Sequence, residues 1–363
     1  MPKDSSASVS SSISEIVPHS RPTLGERERE ALLAVLDAGH PGAGPQVAAL
    51  EELATAHFGT PGAVATGSGS QALLLTLIAL GLTEGKRVAI PAFTCSAVLH
   101  AVQWAGAEPV LLDCAPGSLA PAPEALEPGS VDAVILVHPW GYPLEAGSWC
   151  KRAPIVIEDC AGSVGARHKD RAVGSTGEAA VLSFYATKML CAGEGGLMAA
   201  HSTEVLAVAR DRRDYDGKST PARRFNFKMS DLQAALARVQ FERLEEFTSA
   251  RSTVAQRYDE TVPALGLTPI AIDPGCRPSY FRYLCWAGGE VDELLAFCEK
   301  AGVHCRRPVP VTLDRLTGAA PLPEAERAWR RLVSLPIYPT LTAAEQARVL
   351  DTLADARTQG IMP

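Results

Sequence analysis

The feature that most constrains the fold is a repeated alternation of short apolar runs and helical stretches. Strand, helix, strand in this order is typical of a mostly parallel sheet that is covered by helices on both faces. The sequence therefore predicts an α/β fold with its ligand site at the carboxyl ends of the strands. The apolar runs are residues 63–66, 87–91, 109–113, 131–138, 154–159 and 179–184, and helical stretches at 71–80, 96–104 and 123–126 separate several of them.

The chain on either side of this alternation predicts two domains and a tail. Residues 1–19 begin with a Ser-rich stretch that has no apolar centre, and we predict a disordered tail there. A large domain is predicted over residues 20–245. After about residue 265 apolar strands (280–287), a helix and Pro-rich loops follow one another. We therefore predict a smaller α+β domain over residues 246–363.

Composition narrows the class of partner. The chain has 363 residues, of which 47% are hydrophobic, and a formal net charge of −7. A mildly acidic protein has no general attraction for nucleic acid or anionic membranes. Its longest apolar run, 72–82, is shorter than the roughly 20 residues that cross a bilayer. The nine cysteines include no C-x-x-C pair. We therefore expect a cytoplasmic protein without a metal site, a nucleic-acid partner or a membrane partner.

Two polar segments at predicted strand ends each have a functional and an ordinary interpretation. Gly67-Ser68-Gly69-Ser70 follows a strand and opens an apolar helix, where free amides and the helix dipole favour a phosphate. The alternative is a simple strand-to-helix turn. Glu158 and Asp159 end another apolar run. A carboxylate there can be a base, a metal ligand or the partner of a cation, or only a solvated strand end.

Lys188 is the third candidate. It closes the segment Ser183-Phe184-Tyr185-Ala186-Thr187-Lys188, which continues from a predicted strand. Most lysines are solvated, but an amine at the strand ends in an apolar stretch can stay partly neutral and form a Schiff base. A phosphate cradle, a carboxylate and an amine at one sheet edge are the groups that pyridoxal phosphate (PLP) requires. The three segments together predict a PLP enzyme.

With these segments in view, the sequence resembles the DegT/DnrJ/EryC1/StrS family, often called sugar aminotransferases. The resemblance covers residues 16–355 in order. The motifs that carry it are Ser68-Gly69-Ser70-Gln71-Ala72-Leu73, Gly106-Ala107-Glu108-Pro109-Val110, Val137-His138-Pro139-Trp140-Gly141, Ile157-Glu158-Asp159-Cys160-Ala161, Ser183 to Lys188 with Gly193-Glu194-Gly195-Gly196, Asn226-Phe227-Lys228-Met229-Ser230-Asp231 and Leu335-Pro336-Ile337-Tyr338-Pro339.

The resemblance implies a type I PLP fold, with a mostly parallel mixed sheet in the large domain, and a homodimer whose active sites lie at the interface. It implies that Lys188 holds PLP as a Schiff base and then moves the substrate proton. Asp159 is implied to pair with the pyridine nitrogen. Further cofactor contacts implied by the family are Gly69, Ser70 and Ser183 at the phosphate, Ala161 against the ring, Cys95, and Asn226 at the partner subunit's phosphate.

The reaction implied by the resemblance has two halves. An amino-acid donor, glutamate or glutamine, converts the cofactor to pyridoxamine phosphate, and a keto sugar or related keto compound then takes the amine. Family acceptors suggest a role in sugar or secondary-metabolite biosynthesis. His138, Trp140 and Tyr185 are candidate substrate residues. The alternatives are that His138 only ends a strand and that both aromatic residues belong to the core.

Several positions depart from the family pattern. Gly162 stands where the family has Gln or His against the cofactor's ring oxygen, and Cys95 stands where a planar group stacks on the ring, with Phe93 nearby. Lys228 replaces an Arg and so lacks its planar fork. An Asp expected soon after Pro143 and a Tyr expected near Val309 are absent. These departures suggest an acceptor outside the common nucleotide-linked keto sugars.

Other functions stay open at this point. Cys95, Cys160 and Cys191 are adjacent to predicted cofactor residues and could be reactive, or could pack as small apolar groups. A dehydratase of the same family would have histidine in place of Lys188. A non-catalytic regulator could keep the fold; Lys188, Asp159 and Ser183 argue against that alternative, and Gly162 keeps it open. A nicotinamide dehydrogenase would need a G-x-G-x-x-G loop between strand and helix, which the sequence lacks.

Overall fold

The structure, a computed structural model, describes residues 16–361. Its strands lie in a seven-stranded sheet of order β1-β9-β8-β5-β4-β2-β3 and in two three-stranded sheets of order β10-β12-β13 and β11-β6-β7. In chain order the strands are β1 (Gly62–Thr66), β2 (Arg87–Pro91), β3 (Glu108–Leu112), β4 (Ala133–Val137), β5 (Val156–Asp159), β6 (Arg167–His168), β7 (Arg171–Ala172), β8 (Ala179–Ser183), β9 (Gly196–Ala200), β10 (Leu267–Pro269), β11 (Cys276–Arg277), β12 (Tyr283–Ala287) and β13 (Leu332–Leu335).

The α-helices follow the apolar segments of the sequence. In chain order they are α1 (Glu26–Asp37), α2 (Pro45–Phe58), α3 (Gly69–Ala79), α4 (Ser96–Ala105), α5 (Thr203–Arg213), α6 (Asp231–Glu242), α7 (Leu244–Thr261), α8 (Asp292–Lys300), α9 (Leu313–Thr317), α10 (Pro323–Arg331) and α11 (Ala343–Thr358). The helical stretch predicted at 123–126 is a single 3-10 turn, Pro123–Ala125, because extended residues flank it on both sides.

Strand direction in the large sheet decides where the site lies. Strands β2, β3, β4, β5 and β8 are parallel, as the sequence predicts for a mostly parallel sheet. Strand β9, which the sequence analysis did not predict, runs antiparallel to both β8 and β1. Because β1 and β8 are each antiparallel to β9, they share one direction. The carboxyl ends of β1, β2, β4, β5 and β8 therefore meet at one edge of the sheet.

Burial explains why this sheet forms from such short strands. Every residue of β1 and of β5 is buried, and helices α2 and α3 pack against β1. A strand that is buried on both faces needs apolar side chains at successive positions rather than at alternate ones. Polar side chains in this sheet therefore lie near the strand termini, and those at the carboxyl ends include Thr66, Asp159 and Ser183.

The C-terminal part of the chain forms its own apolar cluster. The sheet β10-β12-β13 packs with α7, α8 and α11 around buried residues that include Tyr258, Tyr283 and Leu353. The domain boundary predicted near residue 245 falls at the start of α7, two residues after Arg243, which closes α6 and precedes α7. That boundary stays a prediction.

The predicted tail, residues 1–19, is only partly within the described chain. Residues 1–15 lie outside the described residues. Val17 is buried and its N–H donates to the Gly302 carbonyl over 2.8 Å, while the His304 N–H donates back to Val17. Residues 16–19 are therefore part of the fold, and the predicted tail extends too far. The reason is that Val17 adds an isolated bridge beside Val303.

Between residues 16 and 361, no helix has the length and apolarity that a membrane span requires. No group of three or more His, Cys, Asp or Glu side chains in these residues is arranged to hold a metal ion.

Candidate active site

A pocket opens at the edge of the large sheet where the carboxyl ends of β2, β4 and β5 meet. It brings together six of the residues that the sequence analysis singled out for cofactor or substrate, in agreement with the rule for parallel sheets. The lining residues are Pro91, Phe93, Thr94, Cys95, Leu119, Ala120, Val137, His138, Pro139, Trp140, Asp159, Ala161, Gly162, Lys188 and Phe281.

Lys188 is the amine of this pocket. It lies in the loop between β8 and β9, and its N–H donates to the Tyr185 carbonyl over 2.8 Å. Its side chain is half-buried and forms no ion pair within 4.0 Å in the described residues. Burial lowers the pKa of the Lys188 amine, and the charge of Asp159 partly offsets that effect. A less basic amine exists more often as the neutral nucleophile.

Asp159 ends β5 and is the carboxylate of the pocket. It is 7% exposed, and the Ala161 N–H donates to its Oδ1 over 2.8 Å. Burial raises the pKa of Asp159, while the Ala161 N–H and the charge of Lys188 act in the opposite direction. Within residues 16–361 its second oxygen accepts no hydrogen bond. Asp159 therefore offers one carboxylate oxygen to a cationic N–H group of a ligand.

The start of α3 forms a cradle with the end of β8. Ser68 caps the helix by accepting from the Gln71 N–H over 3.2 Å. The N–H groups of Gly69 and Ser70 lie in the first turn, where no intrahelical acceptor exists, and no turn or loop bond within residues 16–361 uses them. A Cβ added to Gly69 would lie 2.8 Å from the Ser183 Cβ. The free amides therefore lie beside the Ser183 side chain.

Gly196 makes this cradle possible. It pairs with Thr66 of β1 on one side and with Ser183 of β8 on the other. A Cβ on Gly196 would lie 2.2 Å from the Ser68 carbonyl oxygen and 2.5 Å from the Gly69 nitrogen. Only glycine allows the start of α3 to approach β9 so closely. The Gly-rich turn was visible in the sequence, but this role for Gly196 was not.

The predicted substrate residues differ in their positions. Trp140 is half-buried, has a positive φ of 50°, and packs on Phe93 with 5.0 Å between ring centroids. Phe93 thus faces the pocket beside Cys95, which is exposed at the start of α4. A left-handed φ at a bulky residue is strained and concentrates at functional sites. Tyr185 is 45% exposed and does not line the pocket.

His138 lies behind the pocket in a buried hydrogen-bond network. Its Nε2 is 2.8 Å from Glu158 Oε2, and the Leu144 N–H donates to its Nδ1 over 3.0 Å. Because Nδ1 accepts, the proton is assigned to Nε2. Both ring nitrogens are therefore engaged within the chain, and the ring presents only its apolar edge to a ligand. A substrate role for His138 stays a prediction, and the network gives it a structural role.

Glu158 holds this network together. Its oxygens also accept from the N–H groups of Gly174, Thr176 and Gly177, each over 2.8 Å. Burial raises the pKa of Glu158, but the hydrogen bonds from His138 and from the glycine amides outweigh it and lower the pKa to about 2. Of the two neighbouring acids, Glu158 therefore stabilises the protein and Asp159 faces the pocket.

We expect this network to make the free energy of unfolding depend on pH in the acid range. The folded pKa of Glu158 is about 2 and its ordinary value is 4.5, so its stabilisation is complete above pH 4.5 and is lost as the pH falls through 2. Urea unfolding of the wild type and of Glu158→Gln at pH 7 and pH 3 should show that the wild type loses about 2 kcal/mol more than the variant. The exposed Glu84→Gln is the control, and equal losses in all three proteins would contradict the assignment.

Gly162 and Phe281 are in contact across the pocket. A Cβ on Gly162 would lie 2.9 Å from the Phe281 Cδ1. Phe281 is 6% exposed, and its ring centroid is 5.0 Å from the Lys188 Nζ. Sequence reasoning missed Phe281, because no pattern links two residues that are more than a hundred positions apart. The absent side chain at Gly162 was a visible signal, since some other group has to fill the space.

Asn226 and Lys228 do not line this pocket, although Phe227 between them accepts from the Gly67 N–H over 3.0 Å, beside the start of α3. Asn226 is exposed and its backbone bridges to Asp214. Lys228 Nζ is 2.6 Å from Asp214 Oδ1 and 3.7 Å from Asp216 Oδ2. The amine that replaces the family's Arg is thus paired with two carboxylates of the loop that follows α5. Contact of Asn226 with a partner subunit stays a prediction.

Comparison with known proteins identifies the family and the fold. The model of the DegT/DnrJ/EryC1/StrS aminotransferase family matches residues 22–354. The aminotransferase TlmJ from Streptoalloteichus hindustanus is 26% identical, with a TM-score of 0.90 over 95% of this chain and 100% of that one. DesI, solved in the presence of its TDP-sugar product, is 28% identical, with a TM-score of 0.88 over 95% of this chain and 94% of that one.

A third solved structure adds to the likeness in fold. The PLP form of the protein Spr1654 from Streptococcus pneumoniae is 21% identical, with a TM-score of 0.86 over 95% of this chain and 99% of that one. The large mixed sheet is that of PLP-dependent transferases of fold type I, so the predicted fold class is confirmed. The family match spans nearly the whole chain, and the chain is an aminotransferase that belongs to the DegT/DnrJ/EryC1/StrS family of PLP-dependent transferases.

Proposed function

We propose that this enzyme uses PLP to transfer an amino group from glutamate or glutamine to a keto sugar or related keto compound. The observation that supports this most is the meeting of Lys188, Asp159 and the start of α3 at one sheet edge. An amine, a carboxylate and an anion cradle are the functional groups that such a cofactor needs from a protein. The sequence analysis identified the amine, the carboxylate and the anion cradle as separate candidates.

The residues present fit this cofactor. The free N–H groups of Gly69 and Ser70, with the Ser183 hydroxyl, match a phosphate group in charge and hydrogen bonding. The second oxygen of Asp159 is open to a protonated ring nitrogen. Ala161, whose side chain is small, lines the pocket between Asp159 and Gly162 and leaves room for a flat ring. We therefore assign Gly69, Ser70, Ser183, Asp159, Ala161 and Lys188 to cofactor binding, with Cys95 at the edge.

Each chain residue then has a chemical task. Bound PLP supplies an electron sink for the carbanion that forms when the substrate loses a proton. Asp159 keeps the ring nitrogen protonated by offering it a buried carboxylate. Lys188 Nζ takes the proton from the substrate carbon and later gives it up again. Its lowered basicity suits both the uptake and the release of this proton. The cradle at α3 fixes the far end of the cofactor.

The residues that line the pocket indicate which class of keto acceptor it can bind. Among its described lining residues only Asp159 and Lys188 are charged, and Phe93, Trp140 and Phe281 provide aromatic surface. Aromatic faces suit the C–H groups of a sugar or cyclitol ring. DesI carries a TDP-sugar as its product, so a nucleotide-linked sugar is one candidate class. The second candidate class is a keto sugar or small ketone of secondary metabolism without a diphosphate. The ion pair between Lys228 and Asp214 favours this class, because it already neutralises the amine that could bind a diphosphate.

We also propose that the enzyme acts as a cytoplasmic homodimer. Asn226 is exposed and its backbone bridges to Asp214, and Phe225 and Phe227 flank it with 4.3 Å between their stacked ring centroids. Because alternate residues of an extended segment point to opposite sides, the Asn226 side chain lies on the side opposite the two stacked rings. That supports contact of Asn226 with the cofactor phosphate of a partner subunit.

The absorption spectrum tests the proposal. Purified protein incubated with PLP should gain a band in the near-visible, and glutamate or glutamine should move it toward the ultraviolet as the cofactor takes the amine. A panel of free keto sugars, keto cyclitols and nucleotide-linked keto sugars should then restore the first band with the true acceptor class. A protein that stays colourless with PLP would exclude the proposal and favour a regulator that kept the fold.

A further inference from the structure

The contact between Gly162 and Phe281 reaches the catalytic amine. The Phe281 ring occupies the space of any side chain at residue 162, because an added Cβ would lie 2.9 Å from Cδ1 and 3.4 Å from Cε1. The same ring has the Lys188 Nζ 5.0 Å from its centroid. A cation within about 6 Å of an aromatic centroid is attracted by the ring's quadrupole. The Phe281 ring thus contacts both Gly162, where this chain departs from the family pattern, and Lys188.

The segment that carries Phe281 is held firmly from several sides. The Ser279 N–H donates to the Gly141 carbonyl over 2.9 Å, and the Arg282 N–H donates to the Trp140 carbonyl over 3.1 Å. Tyr280 has a positive φ of 50°, as Trp140 has on the opposite side of these bonds. Such strained residues persist only where the surroundings fix them. The position of the ring is therefore set by the backbone.

A buried guanidinium adds to this hold. Arg251 of α7 is 3% exposed, and its Nη1 donates to the carbonyls of Tyr280 and Ile337 over 3.1 and 2.9 Å, with Phe281 at 3.4 Å. These bonds fix the backbone on both sides of the ring. Phe281 itself packs in the cluster of the large sheet with Cys160, Phe184 and Met189. A residue of the C-terminal part of the chain is thus anchored in the large-sheet core beside Lys188.

We propose that Phe281 is a positioning residue for Lys188: its ring occupies the space that glycine at residue 162 leaves open, and it holds the protonated amine through a cation–π contact. This inference rests on the proposed function, in which Lys188 moves the substrate proton. The other charged or titratable groups that face Lys188 are Asp159, Cys95 and Arg282. Arg282 also lies against the Phe281 ring, with its Cζ 4.5 Å from the centroid.

The test is the titration of Lys188 in cofactor-free protein. The rate of acetylation of Lys188 by acetic anhydride is measured against pH by mass spectrometry, with the exposed Lys151 as an internal reference. Loss of the cation–π contact in Phe281→Leu should move the midpoint of the Lys188 profile down by about 0.4 to 1.5 pH units. Phe281→Tyr keeps a ring and should keep the midpoint. A midpoint does not depend on how easily the reagent enters the pocket.

A second variant keeps the inference testable if Phe281→Leu does not fold. Gly162→Ala leaves Phe281 unchanged but forces its ring away from the added Cβ, so the midpoint should fall in the same direction. In the Phe281→Leu background, Gly162→Ala should change it little further. An unchanged midpoint in folded Phe281→Leu or Gly162→Ala, or an equal fall in Phe281→Tyr, would overturn the inference.

The two proposals fail in different ways. The titration uses no cofactor, so it reports on Phe281 whether or not the protein binds PLP. If the wild type gains no near-visible band with PLP while the variants lower the midpoint, the proposed function fails and the contact stands. If the band forms and responds to glutamate or glutamine but the midpoint does not move, the function stands and the role of Phe281 fails.

Discussion

Replacing Lys188 with alanine should lower the rate of transamination by at least about 10³-fold, because no other amine can move the substrate proton at that place. Lys188 and Asp159 are the charged groups among the described pocket-lining residues. The measurement is amino transfer to the identified acceptor in steady state, together with a single half-reaction with glutamate or glutamine followed by absorption. The second assay separates slow chemistry from slow product release.

The cofactor should still bind to this variant, although more weakly. The cradle at α3 and the carboxylate of Asp159 are independent of the Lys188 side chain. The absorption spectrum of Lys188→Ala with PLP should therefore differ from that of the wild type, because the covalent link to the amine is missing. Lys151→Ala is a matched control, since it removes an exposed lysine far from the pocket. Near-normal transamination by Lys188→Ala would rule out the proposed mechanism.

Asp159→Asn should lower the rate of transamination by about 10²-fold to 10³-fold. Asn has the same shape, so its side-chain oxygen can still accept from the Ala161 N–H. It has no charge with which to keep a ring nitrogen protonated. The rate of the glutamate or glutamine half-reaction measures this loss, and Glu84→Gln, an exposed acid, is the control. A rate within a few-fold of wild type would remove Asp159 from the mechanism.

The same substitution should stabilise the protein when no cofactor is bound. Burial raises the pKa of Asp159 above its ordinary value of 3.8. A raised folded pKa means that the folded state favours the protonated form, so its stabilisation is present below pH 3.8 and is lost as the pH rises. At pH 7 the buried charge is a cost that Asn does not have. Cofactor-free Asp159→Asn should therefore have a higher Tm than wild type at pH 7, with a smaller difference at pH 4.

A gain in stability with a loss in rate would identify Asp159 as a functional residue. Sites that bind charged ligands often keep groups that destabilise the empty protein. Glu158 is the internal comparison, because its pKa is lowered and its removal is expected to destabilise the protein. Two adjacent acids at the end of β5 thus have opposite effects on stability, because their side chains point into different surroundings.

Much of the large sheet could be predicted from local pattern alone. Strands buried on both faces need continuous apolar runs, and the sequence analysis found β1 to β5 and β8 by that signal. It missed β9, Gly196–Ala200, whose two alanines and a glycine resemble a turn or a helix segment as much as a strand. Its pairing with β1 and β8 decides the structure there, and such pairing is a long-range interaction.

The candidate site divides in the same way. The sequence by itself determined the chemistry: strand ends that carry Asp159 and Lys188, a Gly/Ser turn at the start of α3, and the family. Only the tertiary structure decided how these residues work together. It showed that His138 is engaged on both nitrogens, that Gly196 admits the start of α3, and that Phe281 fills the space beside Gly162. Propensity and periodicity act over a few residues, whereas the close approach of one ring, one amine and one glycine depends on how distant segments pack.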